Sequence, residues 1–134
     1  MGKQKPKNLL FVCFANINRS PTAVRVCSEM LKERGYKVYS HQDRPKNYDY
    51  ALESAGTHTE ENWGNQMTTS LGEQMAEIYA LDDTIRDFLI NTFLIPEYKI
   101  YNLKIPNTYR RDEPQLVELL RKRLEKFLPK KKAK

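Results

Sequence analysis

The order of apolar patterns along this chain predicts an α/β sandwich built on a mostly parallel sheet. Three observations carry that reading: a short, continuously apolar run near the N-terminus, an amphipathic helical pattern after it, and further alternation of short apolar runs with helical patterns. Asn8 to Phe14 (NLLFVCF) is apolar at odd and even positions alike, as a strand covered on both faces must be, and is read as the first strand. From Ser20-Pro21 to Arg34, residues Ala23, Val26, Cys27, Met30 and Leu31 recur at spacings of three and four, which gathers them on one helical face. Ser20 is read as the N-cap, Pro21 as the first helical residue and Gly35 as the stop.

Tyr36 to Tyr50 is polar, aromatic and irregular, a strand start followed by an inserted loop, and Ala51 to Ala55 is a short second strand ended by Gly56. Gly64 to Glu77 holds a short helix, Ile78 to Leu81 a third strand, Asp83 to Phe93 a helix and Tyr98 to Leu103 a fourth strand. Glu113 to Leu128 is the clearest late helix, with Leu116, Leu119, Leu120, Leu124, Phe127 and Leu128 as its apolar stripe.

Composition narrows the class. The 134 residues, 40% hydrophobic and 30% charged, suit one domain over residues 1–134 with a single core. No apolar run reaches the ~20 residues of a membrane span, and the stretch after the N-terminal lysines is too short for a signal-peptide core, so a cytoplasmic protein is expected. The formal charge of +6 owes much to Lys3, Lys5 and Lys7 at one end and Lys130, Lys131, Lys132 and Lys134 at the other. Residues 1–7 and 129–134 are therefore expected to be flexible basic ends. No interleaved aromatic and basic pattern accompanies them, which argues against a nucleic-acid partner. Cys13 and Cys27 have neither disulfide-framework nor zinc-site spacing. Cys27 lies on the apolar helical face and reads as core packing.

Chemistry is expected where the first strand meets the first helix, because ligands of such sheets bind at the carboxyl ends of the strands. The residues there are Cys13-Phe14-Ala15-Asn16-Ile17-Asn18-Arg19-Ser20 followed by Pro21, a Cys-x5-Arg-Ser-Pro pattern. Five intervening residues let the loop wrap a tetrahedral dianion with the backbone N–H groups of Phe14 to Asn18 and the helix N-terminus around it. Arg19 supplies a planar fork for two phosphate oxygens. Cys13, centred among these donors, is suited to act as a thiolate nucleophile, Ser20 to hydrogen-bond that thiolate, and Asn16 to adopt the left-handed backbone a tight cradle needs.

LLFVCFANINRSPTAV resembles the phosphate-binding loop of the low-molecular-weight protein tyrosine phosphatases, and ESAGT, AEIYALDDTIRDFL and IPNTYRRDEPQLVELLRKRLEKFL look like the compact bacterial and archaeal branch of that superfamily. The resemblance covers most of the chain apart from residues 36–50. It implies a three-layer sandwich with a four-stranded parallel sheet and helices on both faces. It also implies hydrolysis of phosphotyrosine or similar aryl phosphates through a phosphocysteine on Cys13, with Arg19 binding the phosphoryl oxygens. The substrate would be a phosphorylated protein or small phosphate ester, inorganic phosphate the product, and neither metal nor organic cofactor is implied. Tyr109 falls where relatives place a tyrosine wall beside the substrate ring, and Trp63 is the candidate for the opposite wall. Tyr48 and Tyr50 are lesser candidates, and His58 reads as a surface residue.

Two departures from the family stand out. A second loop cysteine beside the Arg, present in some relatives as a redox guard, is replaced here by Asn18. The Asp that protonates the leaving group is replaced by Asn107 in Ile105-Pro106-Asn107-Thr108-Tyr109. An amide cannot deliver a proton at working pH. Asp112 and Glu113 read first as a helix N-terminus and otherwise as a displaced acid, while Asp82 and Asp83 either cap a helix or position the site. The alternatives to a phosphatase are a phosphate- or phosphoprotein-binding module and a thiol-dependent arsenate reductase, for which Cys27 would be the sole second thiol.

Overall fold

A computed structural model describes residues 6–41, 43–59 and 64–132. Five parallel strands form one sheet in the order β2-β3-β1-β4-β5, where β1 is Lys7–Cys13, β2 Val38–Tyr39, β3 Tyr50–Gly56, β4 Glu77–Ala80 and β5 Ile100–Asn102. The helices are α1 Arg19–Glu33, α2 Thr69–Glu73, α3 Asp83–Asn91 and α4 Pro114–Leu124, with a 3₁₀ turn at Glu97–Lys99. The expected α/β sandwich is present, with five strands instead of four. The additional strand, β2, is a two-residue edge that pairs Val38 with Tyr50 and Tyr39 with Ala51. Part of the segment expected to be an inserted loop thus extends the sheet.

The continuous apolar run of β1 is explained by its central place. Leu9 and Phe11 pack with α1 and α4 residues such as Val26, Leu31, Leu116 and Leu120, while Leu10 and Val12 pack on the other face with Ile78, Ile85 and Leu89. Each fully buried aliphatic side chain contributes roughly 1.5–3 kcal/mol relative to an exposed one. Cys27 is part of the first cluster at 0% exposure, and burial pushes its thiol up, so it is a protonated packing group. Cys27→Ala is expected to cost about 1 kcal/mol for the lost sulfur contacts, read as a lower denaturant midpoint, and to leave the chemistry of the Cys13 loop untouched.

The first helix begins earlier than its Ser-Pro signal predicts. Asn18 stands at the N-cap position, Arg19 is the first helical residue, and the Ser20 hydroxyl is engaged elsewhere. Gly35 ends α1 as expected, with φ of +91°, a conformation glycine adopts without steric cost. The late helix runs regularly from Pro114 at its first position to Leu124, and Leu128 is still buried beyond it. Lys7 pairs with Tyr50 in the sheet. At the other end Lys132 donates its backbone N–H to Arg34 O at 2.7 Å and its Nζ to Asp49 at 3.1 Å, and Tyr36 Oη donates to Lys130 O. The free basic ends expected from composition are thus tied down at Lys7 and as far as Lys132. Among the described residues no helix is long and apolar enough to cross a membrane.

Strand order reverses at β1: β3 and β2 lie on one side, β4 and β5 on the other. A switch of this kind opens a crevice at the carboxyl end of the central strand, and the last residue of β1 is Cys13.

Candidate functional site

Residues 14–18 form a tight loop between β1 and α1. Asn16 adopts φ of +58°, which its short polar side chain tolerates better than most. The loop backbone lies directly on Gly56, the last residue of β3: a Cβ there would stand 2.8 Å from Phe14 O, Ala15 C and Asn16 N. Thr57 N–H donates to Cys13 O at 2.9 Å and His58 N–H to Phe14 O at 2.8 Å, which pins the first turn of the loop to the strand beside it.

At the centre, Cys13 Sγ lies 3.0 Å from Ser20 Oγ and accepts the backbone N–H of Asn16 at 3.2 Å. Ser20 Oγ also stands 2.8 Å from Asn16 Oδ1. The backbone N–H groups of Phe14, Ala15, Ile17, Asn18, Arg19 and Ser20 have no acceptor among the described residues. Ala15, Asn18, Arg19 and Ser20 are buried or half-buried residues, where amides are nearly always paired, so their uncommitted donors in the loop that follows Cys13 are suited to hold an anion.

Arg19 is 1% exposed, and both of its hydrogen bonds are made through Nη1, to Asp82 Oδ2 and to Ile105 O, each at 2.7 Å. The Nε and Nη2 side of the fork has no acceptor among the described residues. Asp82 combines the two readings given to it from sequence: Oδ1 caps α3 by accepting Ile85 N–H at 2.9 Å, while Oδ2 holds Arg19. Asp83 instead turns to the surface, to Asn102 and Lys104.

The segment after β5 closes the other side. Ile105 N–H donates to Leu81 O at 2.6 Å, so its carbonyl is fixed beside Arg19, and Asn107 follows two residues later as an exposed amide. Tyr109 is half-buried against the α1–α4 core. Asp112, weighed as a displaced acid, has φ of +58° and accepts from Arg25 Nε at 2.8 Å, while its N–H donates to Thr22 Oγ1. Glu113 stands at the N-cap of α4 without a side-chain capping bond. Trp63 lies outside the described residues. Tyr48 packs on Tyr39 and Tyr50 on Tyr36, at the β2 edge of the sheet.

Three residues with structural bearing on the site were not singled out from sequence. Arg111 donates its Nε to Ile17 O at 2.6 Å and its N–H to Asn18 Oδ1 at 3.0 Å, stitching the post-β5 segment to the cradle. Gly56 allows the loop its close approach, and Phe88 packs against His58. Only Gly56 had a sequence signal, a glycine at the carboxyl end of a strand. Among the described residues no group of His, Cys, Asp and Glu is placed to hold a metal ion.

The chain is thus an α/β protein with a parallel sheet and, at its switch point, a cysteine-centred loop whose amides are largely uncommitted among the described residues. No protein-family model and no curated protein sequence matches the chain. Solved structures do. A low-molecular-weight phosphotyrosine phosphatase from Vibrio cholerae O395 is 19% identical, with 90% of this chain and 95% of that one covered at a TM-score of 0.65. Vibrio vulnificus Wzb in complex with benzylphosphonate is 18% identical over 92% and 97% of the two chains, at a TM-score of 0.67. A YwlE mutant from Bacillus subtilis is 17% identical over 90% and 98%, at 0.65. The fold of this chain is that of the low-molecular-weight phosphotyrosine phosphatases.

Proposed function

We propose that the chain is a member of this phosphatase family and hydrolyses phosphotyrosine or similar aryl phosphate monoesters through a phosphocysteine on Cys13. The observation that carries this reading is the placement of Cys13 Sγ within 3.0 Å of Ser20 Oγ and 3.2 Å of Asn16 N, in a loop whose other amides have no acceptor among the described residues and which leads into the buried Arg19.

Ser20 has one proton and three acceptors in reach, Asn16 Oδ1 at 2.8 Å, Cys13 Sγ at 3.0 Å and, at the longer 3.4 Å, Ala55 O. When the sulfur is ionised the hydroxyl turns its proton to it. The amides and the Nε–Nη2 side of Arg19 hold the three non-bridging phosphoryl oxygens, whose charge they neutralise more effectively as the transition state develops. Sγ attacks in line, the S–P bond forms as the P–O bond to the phenol breaks, and the phenolate departs to take up a proton. Water then attacks phosphorus, the S–P bond breaks, and thiolate and inorganic phosphate are regenerated. No organic cofactor or metal is required, and the substrate is a phosphorylated protein or a small aryl phosphate in the cytoplasm.

Rapid acid quench of the protein mixed with a phosphotyrosine peptide, followed by mass spectrometry, is expected to show phosphate covalently on Cys13 together with phosphate release. Peptide binding without either product would favour the second reading, a phosphate- or phosphoprotein-binding module, which has the exposed amide of Asn107 in its favour. Arsenate reduction has less support, since its only other thiol, Cys27, is sealed in the core. Gly56→Ala tests the cradle geometry: a methyl group 2.8 Å from loop backbone forces the loop off its register, and kcat/KM is expected to fall by about 10²-fold with the fold retained by circular dichroism.

A further inference from the structure

A planar trans peptide aims its C=O and the N–H of the following residue in opposite directions, so a donor that holds a loop carbonyl also sets the direction of the next amide. Cys13 O is held by Thr57 N–H at 2.9 Å, Phe14 O by His58 N–H at 2.8 Å and Asn18 O by Thr22 Oγ1 at 2.8 Å, all from the end of β3 or from α1 itself. These bonds direct the uncommitted amides of Phe14, Ala15 and Arg19. Ile17 O, which directs the amide of Asn18, is held instead by the Nε of Arg111, at 2.6 Å, from the segment after β5. Arg111 is exposed, yet its place is fixed from both sides. Its own N–H donates to Asn18 Oδ1 at 3.0 Å, and Asp112 beside it donates its N–H to Thr22 Oγ1 at 2.9 Å and accepts from Arg25 Nε at 2.8 Å.

We propose that Arg111 is a positioning residue of the cradle, whose Nε–H on Ile17 O turns the Asn18 N–H toward the phosphoryl oxygens. This rests on the cradle of the phosphatase reading and adds to it a determinant from the far end of the chain. The Ile17–Asn18 peptide has the weakest hold from its surroundings: Ile17 is 41% exposed and follows the left-handed turn at Asn16. Without Arg111 its carbonyl turns to water, and the cost of aligning the Asn18 amide falls on anion binding instead of on folding. A guanidinium donor makes the bond stronger than a neutral one would be. Arg111 thus acts on the anion through a peptide plane, not by contact.

The test titrates inorganic phosphate into the wild type, Arg111→Gln and Arg111→Met, by calorimetry and by the NMR shift of the Asn18 amide proton, at about 0.15 M salt to screen exposed charges. Glutamine keeps an N–H at the chain position of Nε and removes the charge, whereas methionine removes both. Arg111→Met is expected to weaken phosphate about three- to tenfold, and Arg111→Gln to stay within about twofold of wild type. Phosphate is expected to move the Asn18 amide proton downfield in the wild type and Arg111→Gln, and much less in Arg111→Met. Equal weakening in the two variants assigns the effect to charge and overturns the proposal. Wild-type affinity in Arg111→Met, or an Asn18 shift that is the same in all three proteins, also overturns it, and each of these results leaves the cradle reading standing. Wild-type protein that binds no phosphate overturns the cradle reading and the role of Arg111 with it.

Discussion

Cys13→Ser is expected to lower phosphate release from a phosphotyrosine peptide by about 10⁴–10⁶-fold while phosphate binding stays within a few-fold of wild type. The change is nearly isosteric, so the loop keeps its left-handed turn at Asn16 and its seat on Gly56. What changes is the nucleophile. A serine hydroxyl needs a base to become reactive, and the groups next to this position are another hydroxyl, Ser20 Oγ, and a backbone N–H, from Asn16. Neither accepts a proton readily. The amides and Arg19 do not depend on the sulfur and should still hold the anion. Steady-state assay beside a phosphate titration reads both quantities. Equal turnover in the two proteins would mean that the sulfur is not the nucleophile.

The central part of this architecture is legible in the residues because each feature there serves one demand at a time. The run Leu9 to Val12 has to be apolar on both faces, and α1 has to bury Val26, Cys27, Met30 and Leu31 together. Misreadings fall where a residue serves two. Ser20 sits in a helix-start signal, yet its hydroxyl is held by Cys13 and Asn16, so the cap position moves back to Asn18. Asp82 caps α3 with one oxygen and binds Arg19 with the other, a division that spacing along the chain does not reveal. The strand start read at the head of the Tyr36 to Tyr50 segment is the edge strand β2, whose two residues are too few for alternation to fix its bounds. The Arg111 bonds to Ile17 and Asn18 join residues more than ninety positions apart, and nothing local to Arg111 announces them. His58 reads as a surface histidine in sequence, and it is exposed, with its ring stacked on Phe14.

Asn107→Asp is expected to raise kcat on a phosphotyrosine peptide by about 10²–10⁴-fold, the usual range for a positioned general acid. The phenolate leaving a tyrosine phosphate is strongly basic, with a conjugate acid near pKa ~10, so its departure is slow unless a proton arrives with it. The described carboxylates nearest this duty are already committed. Both oxygens of Asp82 are used, by Ile85 N–H and Arg19, and Asp112 is bound to Arg25 on the flank of α1. Asn107 is exposed and follows the Ile105 carbonyl that grips Arg19, so a carboxyl in its place would stand on a segment anchored to the cradle itself. The gain should depend on the leaving group: large for phosphotyrosine, small for an aryl ester whose phenol is acidic enough to leave unprotonated. It should also bring a descending limb in kcat at high pH as the new carboxyl loses its proton. A gain of equal size on both esters would assign the effect to charge or loop packing instead of proton transfer. No gain on either would place residue 107 away from the departing oxygen, and the search for the acid would then move to carboxylates outside the described residues, Glu60 and Glu61, which precede the Gly64 that packs on Asn16.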